Sequence, residues 1–389
     1  MNLAFYYHVP IHSSQGLYYL PSYLGVFVEE LANNVEQLVL VMHEAVGKEI
    51  AEADYALNAN NLKLVSLGPK TASWHRSFFY KSTLRNKIKE IKSCDALLIR
   101  CPSPLAPVFK NLMPSAKLFF MIVGDYHEAA EQLEKKGLKN KLLNTYLNYV
   151  DKQLLNALPT TDIFVNSTLL YDKYQNSAQS IELIKTTTLK EGDFFDRKSS
   201  EIKKPVQLLY TGRIEFTKGL TELVMATAAL VKSGLSVHLN IVGWEANAEK
   251  IYEKELSQIA KEEGITDKIT FHGKKKLGEE LNDMYRSADI YVIPSYHEGF
   301  PRTIWEAMAN SLPVIATRVG GIPSYLEEDI NAILIQPKDI SAITLAVQRL
   351  VTDDNLRGEM VQNNLKLVAE NTLSKQTANL VYVIAQKLK

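Results

Sequence analysis

Apolar residues along this chain gather in short runs rich in branched and aromatic side chains, alternating with longer stretches of helical spacing. Short apolar runs bounded by turn residues predict strands, and their alternation with helices predicts an α/β protein built on parallel sheets. In the first half the predicted strands are Leu3–His8, Gln37–Met42, Leu62–Ser66, Ala96–Arg100, Lys117–Val123 and Asp162–Val165. Helical stretches such as Tyr80–Lys92 and Lys139–Ala157 lie between them. The second half repeats the rhythm with Val206–Tyr210, Ser236–Val242, Lys268–Phe271, Ile290–Ile293, Pro313–Ala316 and Ala332–Ile335. A helix over Gly219–Lys232 stops at Ser233-Gly234, a glycine signal for a C-terminus.

The join between the halves is expected in the polar run Glu191–Pro205, giving domains at 1–195 and 205–370. A last helix, about 374–389, follows the second sheet and is free to pack back on the first domain. Two such domains in tandem place ligands at the carboxyl ends of strands, in a cleft between them.

Length and charge fit this division. The 389 residues suit two domains at about 100–200 residues each. The 44 basic and 44 acidic side chains cancel, which argues against a nucleic-acid partner, since neutralising phosphates needs a cationic excess. Cys94 and Cys101 cannot form a disulfide framework, and no signal segment or membrane-length apolar run is read. A cytoplasmic setting is expected.

Two loops carry candidate chemistry. After strand 206–210 come Thr211-Gly212-Arg213-Ile214-Glu215-Phe216-Thr217-Lys218-Gly219, placing glycines and two cations before a helix. Glycine admits close backbone approach, a helix start offers unpaired N–H groups, and Arg213 with Lys218 suits a diphosphate. A solvated loop with two surface cations fits the same residues. After strand 290–293 come Pro294-Ser295-Tyr296-His297-Glu298-Gly299-Phe300-Pro301-Arg302-Thr303-Ile304-Trp305-Glu306. Pro301 predicts the first helical position. Glu298 and Glu306 would then lie about 80° apart in direction and about 12 Å apart in rise. That is too far for one acid/base pair, yet suitable for gripping two parts of an extended ligand through hydroxyls. One capping and one solvated glutamate is the plain alternative. Gly320-Gly321-Ile322-Pro323 predicts a third helix start, a ligand wall or a simple connection.

With these pieces in order, GRIEFTKG, HLNIVG, ITFHG, ADIYVIPSYHEGFPRTIWEAMANSLPVIAT and VGGIP, the second half resembles the donor domain of retaining glycosyltransferases of family four. The likeness extends to bacterial surface-polysaccharide enzymes. It implies the GT-B fold, two Rossmann-like domains facing a cleft, and transfer of a sugar from a nucleoside diphosphate sugar to a glycan or lipid-linked acceptor. By position it implies Arg213 and Lys218 on the diphosphate and Glu306 on the ribose hydroxyls. Glu298, with backbone N–H groups from Gly299 through Phe300, Pro301, Arg302 and Thr303, would hold the sugar and distal phosphate, with Gly212 on the donor side. It also implies a histidine beside the anomeric carbon, best matched by His127, and a glycine pair after the first strand, whose nearest counterpart is Gly16. No cofactor and no metal is expected: there is no Asp-x-Asp triplet and no zinc spacing. Family frequency favours a uridine over a guanosine donor. A nucleotide-sugar epimerase of the same fold and a non-catalytic nucleotide-sugar-binding partner are the alternatives.

Segment Thr71–Ser93 interleaves Trp74, Phe78, Phe79 and Tyr80 with Arg76, Lys81, Arg85, Lys87, Lys89 and Lys92. It fits peripheral contact with an anionic membrane. It equally fits a solvated helix with its aromatics turned inward.

Overall fold

The computed structural model describes residues 1–114, 116–124, 138–197, 201–202 and 204–389. The chain divides into two compact units, one made of Met1–Thr188 with Leu373–Lys389, the other of Leu189–Thr372. The boundary therefore lies earlier than the expected join. The run from Leu189 is not a free linker: Leu189 is buried in the second unit, Phe194 packs beside it, and the Phe195 N–H donates to the Ala309 carbonyl at 2.8 Å.

Among the described residues the first unit holds ten strands. They are β1 (Asn2–Tyr6), β2 (His12–Ser14), β3 (Leu17–Leu20), β4 (Gln37–Glu44) and β5 (Tyr55–Leu57), then β6 (Leu62–Pro69), β7 (Ala96–Cys101), β8 (Leu118–Ile122), β9 (Asp162–Val165) and β10 (Ser180–Leu183). Seven form a parallel sheet in the order β10-β9-β8-β7-β1-β4-β6. Alternate residues serve two cores, as a sheet covered on both faces requires. Val39, Val41, Leu97, Ile99 and Phe120 face one side, while Leu38, Leu40, Leu98 and Phe119 face the other. On that second side Leu380 and Ile384 of the last helix (Leu373–Leu388) are buried against the first unit.

Three expectations need correction here. β1 ends at Tyr6, where its pairing with β4 and β7 stops, two residues short of His8. The loop after it supplies two strands, β2 and β3, of an antiparallel sheet β2-β3-β5, and their hairpin turns through Gln15 (φ 51°) and Gly16 (φ 78°). Two positive φ values in a two-residue connection are the type I′ geometry that matches strand twist. The edge strand β10 was also unexpected.

The second unit holds β11 (Val206–Arg213), β12 (Val237–Trp244), β13 (Ile269–Phe271), β14 (Ile290–Ile293), β15 (Val314–Thr317) and β16 (Ile333–Ile335), parallel in the order β13-β12-β11-β14-β15-β16. β11 runs three residues further than expected, pairing Gly212 with Gly243 and Arg213 with Trp244. A Cβ on Gly243 would sit 1.7 Å from the Gly212 carbonyl oxygen, so this ribbon closes only on glycine. Both sheets share one topology: strand order reverses beside the first strand, between β1 and β7 in one unit and between β11 and β14 in the other. Such reversals open the crevices where α/β sheets bind ligands. Among the described residues no helix is long and apolar enough to cross a membrane.

Candidate functional site

The carboxyl ends of β11 and β14 bring the two sequence loops together. After β11 the chain makes a short 3-10 turn, Phe216–Lys218, and Gly219 (φ 67°) then starts the helix Leu220–Lys232. A Cβ on Gly219 would lie 2.1 Å from the Pro294 carbonyl oxygen, so the loop after β14 rests directly on this helix start. The Tyr296 N–H donates to the Thr217 carbonyl at 2.8 Å, and the Tyr296 hydroxyl donates to the Glu222 carboxylate at 2.7 Å.

Within this frame Lys218 Nζ donates to Glu298 Oε1 at 2.8 Å, and the Ser295 hydroxyl donates to the same oxygen at 2.7 Å. Both charged side chains are largely buried. An ion pair sheltered from water is screened little and holds its geometry better than a surface pair. Arg213 differs: its side chain is 57% exposed and pairs with Glu215 at 3.1 Å. At the end of a strand it can swing toward a ligand without breaking a buried contact. Burial first, then Tyr291, Glu298 and Glu215, hold the Tyr210 phenol well above its usual range, with the Arg213 charge opposing them.

Glu306 lies on a second network. The helix Arg302–Ala309 starts one residue later than expected, with Pro301 as its N-cap. Pro301 has no N–H, so the backbone donors of this turn come from Gly299, Phe300, Arg302 and Thr303. The Phe300 ring is buried against Trp305 and Tyr325, at ring-centre distances of 4.6 Å and 4.9 Å. Only its backbone can serve a ligand. Buried Glu306 accepts from the Tyr285 hydroxyl at 2.8 Å, and Tyr285 also meets Thr211 Oγ1 at 2.7 Å. Burial, then Glu306, pushes the Tyr285 phenol far up, keeping it a neutral donor.

The Gly320-Gly321 turn is a brace. It opens only a 3-10 turn, Ile322–Ser324, rather than a helix. A Cβ on Gly320 would fall 1.5 Å from the Glu298 carbonyl oxygen, and the Gly321 N–H donates to the Gly299 carbonyl at 2.6 Å.

The structure thus joins Lys218 to Glu298, places Arg213 at the adjoining strand end and ties Glu306 to a separate tyrosine. Thr211, Tyr285, Ser295 and Glu215 are the site residues to which sequence reasoning gave no role; Thr211, Glu215 and Ser295 lie inside the two quoted loops, while Tyr285 carried no signal. Gly16 is the exposed second residue of the β2–β3 turn, which accounts for its glycine. His127 lies outside the described residues.

Comparison with known proteins bears on this unit first. Residues 193–367 match the sequence model of the family described as glycosyl transferases group 1. The match falls within the second unit, which resembles a group 1 glycosyl transferase domain. An uncharacterized glycosyltransferase of Methanocaldococcus jannaschii, MJ1607, is 31% identical over 185 residues, 46% of this chain and 45% of that protein. Protein CapJ of Staphylococcus aureus is 25% identical over 301 residues, 76% of this chain and 71% of CapJ. The chain thus spans less than half of the MJ1607 protein it matches. Among solved structures, sucrose-phosphate synthase of Thermosynechococcus elongatus covers 100% of this chain and 98% of its own, with TM-score 0.72 and 17% identity. Anabaena Alr3699/HepE in complex with UDP and glucose covers 100% and 99%, with TM-score 0.71 and 16% identity. These likenesses fix the fold as GT-B, two parallel-sheet α/β domains.

Proposed function

We propose that this protein is a retaining, metal-independent glycosyltransferase. It moves a sugar from a nucleoside diphosphate sugar to a hydroxyl of a glycan or lipid-linked acceptor in polysaccharide or glycolipid assembly. The observation that carries this reading is the buried Lys218–Glu298 pair at the β11/β14 reversal, with Arg213 beside it and a helix start facing the same turn. Breaking the bond between sugar and phosphate leaves negative charge on the departing nucleotide. Fixed cations and backbone N–H groups already aimed at that charge lower the barrier. Arg213 and Lys218 take the diphosphate, Glu298 holds Lys218 in place and meets sugar hydroxyls, and Glu306 takes the ribose. The departing phosphate accepts the acceptor proton on the same face, so no protein nucleophile is needed. A uridine donor is favoured, in keeping with the UDP complex of the Anabaena neighbour.

Arg213→Ala and Lys218→Ala should each lower turnover by more than about tenfold with the fold retained. Nucleotide release would be read over a panel of uridine and guanosine diphosphate sugars. Near-normal transfer by both variants would sink the site, and interconversion of free nucleotide sugar without acceptor would point instead to an epimerase.

The same reading extends to the segment Thr71–Ser93. Trp74, Phe78 and Phe79 are all more than half exposed, and Phe78 stacks on Tyr149 at 5.7 Å. The aromatics are therefore not turned inward, apart from Tyr80. Arg76, expected among the surface cations, is buried, and the basic side is left to Lys81, Arg85, Lys87, Lys89 and Lys92. Aromatics beside cations suit an anionic headgroup layer, and this face is proposed to rest on the membrane peripherally.

A further inference from the structure

The buried Arg76 has a second consequence. It lies on the short helix Ser73–Phe79 with 4% of its surface exposed, and both its Nε and Nη1 are buried without a hydrogen-bond partner. Around it, at the carboxyl ends of β1, β4 and β7 and just after β6, stand several groups that are cationic or can donate. Tyr6, at the end of β1, lies against Arg76, and its hydroxyl accepts from Ser103 at 3.2 Å. His43, on β4, is fully buried with no side-chain partner for either ring nitrogen, its ring beside the Gly68 backbone and edge-on to Tyr80 at 5.2 Å. His8, just past β1, has a buried and unpartnered Nδ1, and it faces Arg76, Lys70, Arg100 and His43. Arg100, on β7, lies over the Tyr7 and Phe27 rings at 5.0 Å and 5.7 Å.

The acids nearest in the chain to His43 are engaged elsewhere. Glu49 is taken by Lys70 at 2.8 Å, and Glu44 accepts from Ser66 at the surface. Among the described residues no carboxylate pairs with Arg76. A guanidinium out of water with open N–H groups is costly, and proteins ordinarily meet that cost with an acid. Here the neighbours respond the other way. Burial, followed by the nearby Arg76 charge, pushes His8 down to about 3 and His43 down to about 4, so both imidazoles are neutral and each keeps one N–H to donate. Among the described residues no acceptor-rich anion meets Arg76, and its unpartnered Nε and Nη1 each leave an N–H to offer an oxyanion oxygen.

We propose that this cluster is the seat of an oxyanion carried by the acceptor, a phosphate or a carboxylate, held by Arg76 with His8 and His43. This rests on the transferase reading for the word acceptor. The position agrees with the strand-order reversal of the first unit, beside β1 and β7, which is the ligand crevice of a parallel sheet. Phosphate is the better fit to several converging donors, since it offers more lone pairs than a carboxylate.

Calorimetry and thermal shift on the full chain, starting in phosphate-free buffer, test this with inorganic phosphate, glucose 6-phosphate, glucuronate and glucose at matched ionic strength. Vesicles containing phosphatidic acid form a separate arm. The expected result is saturable binding of phosphate and glucose 6-phosphate but not glucose, weakened about tenfold or more by Arg76→Met and by a smaller factor in His43→Gln. Binding of glucuronate above glucose 6-phosphate would assign a carboxylate, and binding of the vesicles alone would assign a lipid phosphate. Arg76→Met should keep or raise stability in phosphate-free buffer, because an uncompensated buried charge is removed. If that variant does not fold, Arg76→Lys, which keeps the charge and loses the planar array of donors, decides by the same ratio. No anion binding, or binding indifferent to Arg76, overturns the proposal. Because the readout is binding without turnover, it stands or falls separately from the donor chemistry, which UDP binding to the second unit reports.

Discussion

His43 and His8 give the first unit a pH dependence that belongs to single residues. An ordinary imidazole has a pKa near 6.5, whereas burial beside Arg76 lowers these to about 4 and about 3. Between those values and 6.5 the unfolded chain binds protons that the folded chain refuses. The stability gained by keeping the rings neutral is therefore complete above pH 6.5 and is lost as the pH falls toward 4. Each ring should contribute a slope on the order of 1 kcal/mol per pH unit in that window. Urea unfolding in phosphate-free buffer at pH 7 and pH 5 measures it, and His43→Leu should flatten the slope. An unchanged slope would mean that His43 is not held neutral. None of this was legible in the sequence, where both histidines sit beside ordinary strand residues and only packing reveals which charges surround them. Lys218 and Glu298 were legible, because each lies in a loop whose residue types declare it. Their direct bond was not, since 80 residues separate them.

At the scale of elements, three glycine contacts decide how the donor loops stand. Gly219 admits the loop after β14, Gly243 closes the β11–β12 ribbon, and Gly320 supports the backbone of Glu298. Gly320→Ala should push the Glu298-Gly299 backbone aside, since its Cβ would overlap a carbonyl and its φ of 56° disfavours a side chain. The expected outcome is about 1–3 kcal/mol of lost stability and about tenfold weaker UDP binding. Gly264→Ala is the control, with positive φ but open space around it, so it should lose stability alone. Equal UDP binding by the two variants would remove the brace from the site. The central strands were readable because each is buried on both faces and so reads as an unbroken apolar run. Strands β2, β3, β5 and β10 were not, being short, partly polar or at an edge, where their pairing depends on partners remote in sequence.

For the molecule as a whole, zero net charge spoke against a nucleic-acid partner. The folded chain sorts its charges locally, with cations at the donor loop, a buried cationic cluster in the first unit and a basic, aromatic face outside it. Flotation with vesicles rich in phosphatidylglycerol should carry the protein upward, while phosphatidylcholine vesicles should not. Replacing Trp74, Phe78 and Phe79 together by alanine should abolish the effect. No flotation with either lipid would dismiss the membrane face. Arg76 was counted with that face when only its neighbours in sequence were known, and packing moved it inward.

Sequence by itself determined the α/β class, the two parallel sheets, and the donor loops with their cations and glutamates. These follow from local apolar periodicity and from chemistry confined to contiguous motifs. Only the tertiary structure decided where the first unit ends, that the last helix completes it, that Lys218 meets Glu298, and that Arg76 is buried with no acid paired to it among the described residues. Each of those is a contact between residues far apart in the chain, and local patterning holds no information about which distant side chain will arrive to satisfy a charge, or fail to.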